Sequence, residues 1–258
     1  MEYQTINLAA KDGYATITLN RPDVMNALNT QMRAELLHAV KAAEQSARAI
    51  VLTGAGKAFC SGQDLGDRTS VGSADLERTL RDEYVPMLRA IFDCRIPTIA
   101  AVNGPAAGAG ANLALAADVV IATESAVFLQ AFARIGLIPD AGGTYWLPRQ
   151  VGFARAMGAS LFAEPVPAMK AAEWGMIWEA IPDDGFAAHW QSRAAHLAAG
   201  PTVAYENVKE ALRASYGNSL EEQLFLEAKL QGRCGKTRDF REGVLAFMEK
   251  RPAEYEGR

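Results

Sequence analysis

Cysteine and histidine are scarce in this chain, with three of each among 258 residues. Cys60, Cys94 and Cys234 are odd in number, far apart and never in a Cys-x-x-Cys pair, which predicts free thiols in a reducing cytoplasm and no structural metal. His38, His189 and His196 lie in alanine-rich helical segments and read as surface or packing residues, so a Ser-His-Asp reading of Ser61 or Ser125 has no base to rest on. Positive charge is also short. Lys and Arg number 26 against 30 Asp and Glu, a net charge of −4, and no basic stripe is present to follow a phosphate backbone. Nucleic acid is thereby excluded as a principal partner, while local positive pairs for a small phosphorylated ligand are not. The opening Met1-Glu2-Tyr3-Gln4 carries acid in place of a basic run, which predicts no secretory leader. The uncharged stretch from Ile96 to Ala117 is long enough to imitate a membrane span. However, Pro97, Asn103, Pro105, Asn112 and many small residues interrupt it, so it reads as a strand, a turn and a buried helix.

What is present is an ordinary globular composition, 50% hydrophobic and 22% charged, long for one domain without requiring two. Tyr14 to Leu19 alternates, with Ala15, Ile17 and Leu19 on one face, and stops at Asn20-Arg21-Pro22-Asp23, as a half-buried strand and turn do. Asn29 is placed to cap a helix to Ser46 with apolar residues at Met32, Leu36, Val40, Ala43 and Ala47. Short apolar runs at 50–53, 98–102, 119–122 and 126–129, separated by helical segments, predict strands buried in a largely parallel sheet. A polar-rich helical pattern from Asp75 to Asp93 is anchored by Leu80, Tyr84, Met87, Leu88 and Ile91. After Asp140 the strand signals fade, and helices are expected at 152–161, 186–199, 201–215, 220–231 and 239–250. The expected plan is an α/β core over residues 1–195 with a helical region over 196–258 in the same structural unit.

Asp140 is the one carboxylate in the uncharged run Ile135-Gly136-Leu137-Ile138-Pro139-Asp140-Ala141-Gly142-Gly143-Thr144. Pro139 blocks a helix from starting upstream, and the glycine pair allows close approach. Two readings compete. As a helix N-cap, Asp140 accepts hydrogen bonds from the Gly142 or Gly143 N–H, which lowers its pKa. As a base among Ile135, Leu137, Ile138, Tyr145 and Trp146, it is desolvated, which raises its pKa and suits proton transfer.

Two glycine-rich segments bear on that choice. Gly104 to Leu113 lacks the Gly-Lys-Ser/Thr of a phosphate loop and has Leu113 where a dinucleotide loop has its third glycine. Its small residues suit close packing, and equally they open a buried helix whose first N–H groups face one spot. The loop Gly54 to Leu65 follows a buried strand and can present a second N–H. Two such donors on one oxygen stabilise a developing enolate.

In order along the chain, Asn20-Arg21-Pro22 with Asn26-Ala27-Leu28, Ala58 to Leu65, Ala101-Val102-Asn103-Gly104, Asp118 to Ala122 and Gly136 to Thr144 resemble the enoyl-CoA hydratase/isomerase (crotonase) superfamily. The resemblance implies a crotonase-like spiral of ββα units with a helical C-terminal trimerisation region. It also implies homotrimers or dimers of trimers, and an acyl-CoA substrate handled without metal or other cofactor. Carried over position by position, it implies oxyanion-hole N–H groups at Cys60 and Ala109. Met25, Ala27, Ser61, Gln63, Asp64, Leu65, Gly108, Pro139 and Lys250 would then contact CoA or substrate, with Arg21 or Arg251 as further candidates for the CoA phosphates.

Hydratases of the superfamily use two glutamates, and the matching positions here are Asn112 and Phe132, neither of which exchanges protons with water. Asp140 stands where isomerases of the superfamily carry a carboxylate, so the resemblance implies a double-bond shift by one base. The strings from Phe128 to Asp140, Leu147-Pro148-Arg149 and Gly175 to Trp178 are similar to the isomerases of phenylacetate degradation that convert ring-1,2-epoxyphenylacetyl-CoA to oxepin-CoA. Tyr84-Val85-Pro86 departs from that subgroup, where asparagine is expected in the middle. A general fatty enoyl-CoA isomerase, an enoyl-CoA hydratase and, in another class, a non-catalytic RNA-binding or scaffold homologue are the alternatives.

Overall fold

Two sheets of different size organise the chain, for which a computed structural model describes residues 2–66 and 75–258. Met1, quoted above in the opening tetrapeptide, lies outside them. The larger sheet is ordered β1 (Ile6–Lys11), β2 (Tyr14–Leu19), β3 (Ala49–Gly54), β4 (Thr98–Val102), β6 (Val119–Thr123), β9 (Glu179–Ile181). Only β1 runs antiparallel to its neighbour; every other pairing in this sheet is parallel. The smaller sheet joins β5 (Ala106–Ala107), β7 (Val127–Leu129) and β8 (Val166–Pro167). The α/β class and the parallel core follow the sequence expectation.

The period of two decides which cluster each strand feeds. Ala15, Ile17, Leu19, Ile50, Leu52, Ala100 and Val102 enter the main core with α1 (Thr30–Ser46). Tyr14, Val51, Ile99, Ala101 and Ile121 face the other way, onto Phe186, Ala194 and Ala198 of α7 (Phe186–Ala199). The Asn29 side chain caps α1 by accepting from the Met32 N–H at 2.8 Å. Because α7 closes one face of the sheet, a boundary after residue 195 falls inside a core helix.

Several local expectations are corrected. Strand β1, and the strands β8 and β9 beyond Asp140, were not anticipated; the last two have two and three residues, too few for a periodic signal. The helix expected from Gly152 begins at Gly143 and runs to Phe162 (α5), with a break at Gly152, whose φ of 77° and ψ of 163° are non-helical. The segment after Asp75 is helical as α2 (Leu76–Thr79) and α3 (Val85–Phe92), joined by a π-helical turn, Leu80–Tyr84. Pro86 has no N–H to offer the preceding turn, and the Val85 N–H bonds to the Leu80 carbonyl. The run that imitated a membrane span folds as β4, β5 and α4 (Ala109–Leu115). No helix among the described residues is long and apolar enough to cross a membrane.

The remaining elements are α6 (Ala168–Glu173), α8 (Thr202–Ala214), α9 (Leu220–Cys234) and α10 (Arg238–Glu249). Asp118, just before β6, ties α8 to the sheet through Lys209 and Arg213, both at 2.6 Å. Arg48, just before β3, bonds the Tyr255 carbonyl at 3.0 Å and the Gly200 carbonyl.

Candidate active site

The loops that follow β3 and β4 leave the carboxyl ends of parallel strands, the edge at which open α/β sheets present ligand sites. Asn26 staples the first loop in place. Its Nδ2 donates to the Ala55 and Ala58 carbonyls at 2.9 and 2.8 Å, and its Oδ1 accepts from the Arg21 N–H at 2.9 Å. Asn103 does the same from β4, accepting from the Gly54 N–H at 2.9 Å. The two loops then meet. The Ala107 N–H donates to the Cys60 carbonyl at 2.9 Å, and a Cβ on Gly110 would overlap that carbonyl and the thiol behind it. Cys60 is fully buried, which pushes its thiol up to about 12, so the sulfur is no nucleophile.

The two expected oxyanion donors are not equivalent. The Ala109 N–H, at the first position of α4, has no hydrogen-bond partner among the described residues. The Cys60 N–H makes a long bond of 3.3 Å to the Pro105 carbonyl, which also accepts from Phe59 at 3.1 Å. A shared carbonyl at that distance is a weak competitor for an incoming oxyanion.

Asp140 lies on a turn ahead of α5 and is tied to α4 by a hydrogen bond from Asn112 to its main-chain carbonyl. The capping reading fails, because α5 starts at Gly143 with Gly142 at the N-cap position, and the Asp140 Oδ1 is buried without a hydrogen-bond partner among the described residues. The main-chain carbonyl of Asp140 accepts from Gly143 at 2.8 Å instead. Burial pushes the carboxyl up to about 6, opposed only by its own backbone N–H. Ile135, Leu137 and Ile138 are exposed and do not shield it, contrary to expectation; the buried residues flanking it in the chain are Ala141 and Gly143. Trp146 holds the turn by donating Nε1–H to the Ala141 carbonyl at 3.2 Å while its ring packs 5.1 Å from that of Phe92 on α3.

Asn112, which the sequence resemblance matched to a hydratase glutamate, is fully buried in α4. Its Nδ2 donates to the Asp140 carbonyl at 2.7 Å and its Oδ1 accepts from Gln130 Nε2 at 2.9 Å. Phe132, the other such position, is buried with its ring about a van der Waals contact from where a Cβ of Gly108 would stand, 3.7 Å.

Tyr84, which sequence reasoning took only for a helix anchor, is set against Gln63, one of the expected contact residues. It closes the π-helical turn, is 2% exposed, and donates its hydroxyl to Gln63 Oε1. Arg33 lies 4.9 Å over its ring and also donates to Gln63 Oε1 at 3.1 Å. Burial pushes the phenol well above its usual range; Arg33 pulls it down, and the charges of Asp140 and Cys60 push it further up. The only sequence signal was its spacing among the apolar anchors, which is also that of an ordinary core residue.

The remaining expected contacts divide. Leu28 and Gln63 form a bridge that brings Met25, Ala27, Ser61, Asp64 and Leu65 together: Ser61 N–H donates to the Met25 carbonyl at 2.9 Å, and Asp64 pairs with Arg21 at 2.7 Å. Met25 and Leu65 are exposed there at 55% and 66%. Gly108 donates its N–H to Leu129 at 2.8 Å, and Pro139 precedes the Asp140 turn, half-buried. Two of the candidate phosphate-binding cations are committed elsewhere, Arg21 to Asp64 and the Ala27 carbonyl, and Arg251 to Glu242 and Glu249. Lys250 is exposed at the C-cap of α10, and no contact among the described residues links it to the loops above. No group of three His, Cys, Asp or Glu residues that could hold a metal occurs among the described residues.

Residues 9–258 match the sequence model of the enoyl-CoA hydratase/isomerase family. A protein of Rhodobacter capsulatus named "Probable enoyl-CoA hydratase" is 62% identical over 258 residues, the whole of both chains. The 1,2-epoxyphenylacetyl-CoA isomerase of Escherichia coli is 45% identical over 95% of this chain and 96% of its own. A solved enoyl-CoA hydratase from Bacillus anthracis superposes with a TM-score of 0.91 at 31% identity, covering 99% of this chain and 100% of that one. With the family model matching nearly the whole chain and relatives well above 30% identity covering it from end to end, the chain belongs to the enoyl-CoA hydratase/isomerase family.

Proposed function

We propose that this chain isomerises a CoA thioester with Asp140 as its single base, and that the favoured acyl group is ring-1,2-epoxyphenylacetyl, converted to the oxepin. The observation that carries the reading is the Asp140 carboxylate itself, half-buried, with one oxygen lacking any donor and a pKa of about 6. Such a group is mostly ionised at neutral pH, yet basic enough to take a proton and give it back.

In this reading the carboxylate removes a proton from the carbon next to the thioester carbonyl. The C–H electron pair moves into the carbonyl, and the resulting enolate oxygen is held by the N–H groups of Ala109 and Cys60. The protonated Asp140 then delivers the same proton two carbons further along, so the double bond moves from β,γ to α,β and nothing is gained or lost. With the ring epoxide, the same transfer is coupled to opening of the epoxide's ring C–C bond. Gln63 and Tyr84 would border the acyl group, and Met25, Ala27, Ser61, Asp64 and Leu65 the CoA moiety. The exposed apolar residues of the C-terminal helices, among them Leu212, Leu220, Phe225 and Phe247, are the surface we assign to a trimer.

The Rhodobacter capsulatus relative's name favours hydration as a second reading. Delivering water needs an acid and a base, and Asn112 and Phe132 can be neither. The test compares purified enzyme with three substrates: the ring epoxide, β,γ-hexenoyl-CoA and α,β-hexenoyl-CoA. The largest kcat/KM is expected for the ring epoxide and the smallest for hydration of the α,β-ester. Hydration that outpaces both isomerisations would sink the reading.

A further inference from the structure

Asn112 and Gln130 form a one-way chain of hydrogen bonds that ends on the main chain of Asp140. A main-chain carbonyl can only accept, so the Asn112 amide must face it with Nδ2. That leaves Asn112 Oδ1 to face Gln130, which must present Nε2. Gln130 is itself 5% exposed, and its Oε1 is buried with no partner among the described residues, so nothing else there rewards this orientation of its amide. Gly143 seals the arrangement from above, since a Cβ there would overlap the Asn112 amide. The turn bearing Asp140 therefore rests on a buried amide pair anchored in α4, the helix whose first residue offers the free Ala109 N–H.

We infer that Asn112, locked by Gln130, is a positioning residue that sets the distance and direction of the Asp140 carboxylate relative to the Ala109 N–H. This rests on the reading of Asp140 as the base. The Asp140 carbonyl is already satisfied by Gly143, so the Asn112 bond is not needed to avoid an orphaned acceptor. Its effect is geometric: α4 carries the oxyanion donor at one end and grips the base's main chain three residues along. Misplacing a catalytic group by about 1 Å from a change that touches no substrate costs roughly 10²-fold.

The experiment uses Asn112→Leu, similar in size but without donor or acceptor, alongside Gln130→Leu, which leaves Asn112 in place and frees its amide to turn. Steady-state kinetics across pH 4.5–9 and thermal denaturation are measured for both, for Asp140→Asn, and for Asn112→Leu combined with Asp140→Asn. Asn112→Leu should lower kcat about 10–100-fold with KM changed less than about twofold. The midpoint of its acid limb should drift from about 6 toward the ordinary carboxylate value as the carboxyl swings into water. Gln130→Leu should show the same drift with a loss of about 3–10-fold, and it serves alone should Asn112→Leu fail to fold. In the Asp140→Asn background the Asn112 substitution should change the residual rate less than about twofold.

A lowered melting temperature with kcat and the acid limb untouched would reduce Asn112 to packing and overturn the proposal. Full activity in Asp140→Asn is a different failure, that of the base itself. A pH midpoint that moves while kcat holds would also overturn the positioning role, because the carboxyl would then tolerate displacement.

Discussion

Glu35 and Asp140 are carboxylates withdrawn from water at opposite ends of the chain's logic. Glu35 lies on α1 beneath the approach to β1 and is 2% exposed. It accepts the N–H groups of Gln4 and Thr5 at 2.8 Å each, the Thr5 hydroxyl at 2.6 Å and the Gln31 amide at 2.8 Å. Desolvation pushes its pKa up, and those hydrogen bonds outweigh it, so the net shift is downward. Asp140 is more exposed at its surface, yet burial holds it up at about 6, because the desolvation of its carboxyl is opposed only by its own backbone N–H. Burial alone does not make a base. Burial with the donors withheld does.

Four experiments sharpen or break that contrast. The largest effect is on rate: Asp140→Asn should lower isomerisation about 10²–10⁴-fold, the range for losing a positioned general base. Wild-type turnover in that variant would place Asp140 beside Glu35 as a merely structural acid. Next, Glu35→Ala strands the Thr5 and Gln4 N–H groups and should destabilise the fold by about 2–4 kcal/mol by urea denaturation, with kcat unchanged in the folded fraction. Third, kcat/KM should fall about tenfold per pH unit below a midpoint near 6, where Asp140 takes up its proton. A flat profile down to pH 5 would contradict the raised pKa.

The smallest effect concerns stability. Asp140 has a raised pKa in the folded state, so its contribution is fully present below the unfolded value of about 3.9 and is lost as pH rises through about 6. Asp140→Asn is neutral throughout. It should therefore be about 1–2 kcal/mol more stable than wild type at pH 8, discounted for partial exposure, and equal to it near pH 3.5. Glu35, lowered in the folded state, behaves oppositely: its stabilisation is present above its unfolded pKa and lost as pH falls through the folded value.

Where a segment's role was local, it could be read directly. The alternation of Tyr14–Leu19, the Asn29 cap and the buried runs of β3, β4 and β6 all follow from one-dimensional patterns. Strands β8 and β9 were illegible because pairing with distant partners, not their own periodicity, makes them strands. Gly152 marked a helix start in the sequence; in three dimensions it is a break within a helix that begins nine residues earlier, where Pro148 is accommodated. At the candidate site, Asp140 stood out because its run is otherwise uncharged. Tyr84 and Asn112 did not, since one had the spacing of a core residue and the other seemed only a missing glutamate. Their partners, Gln63 and the Asp140 carbonyl, are 21 and 28 residues away.

The sealed thiol behind the Cys60 carbonyl has a use that needs no substrate. Cys60 and Cys94 are buried, with thiols pushed up to about 12 and 11, whereas Cys234 is half-buried on α9. An alkylating probe should therefore modify Cys234 from the native fold and wait for an opening event to reach the other two. When reclosing outruns alkylation, the slowing of Cys60 labelling relative to an exposed thiol gives the opening free energy of the loop that bears it. Bound acyl-CoA should slow that labelling further in proportion to its saturation, turning one silent sulfur into a calorimeter for the pocket.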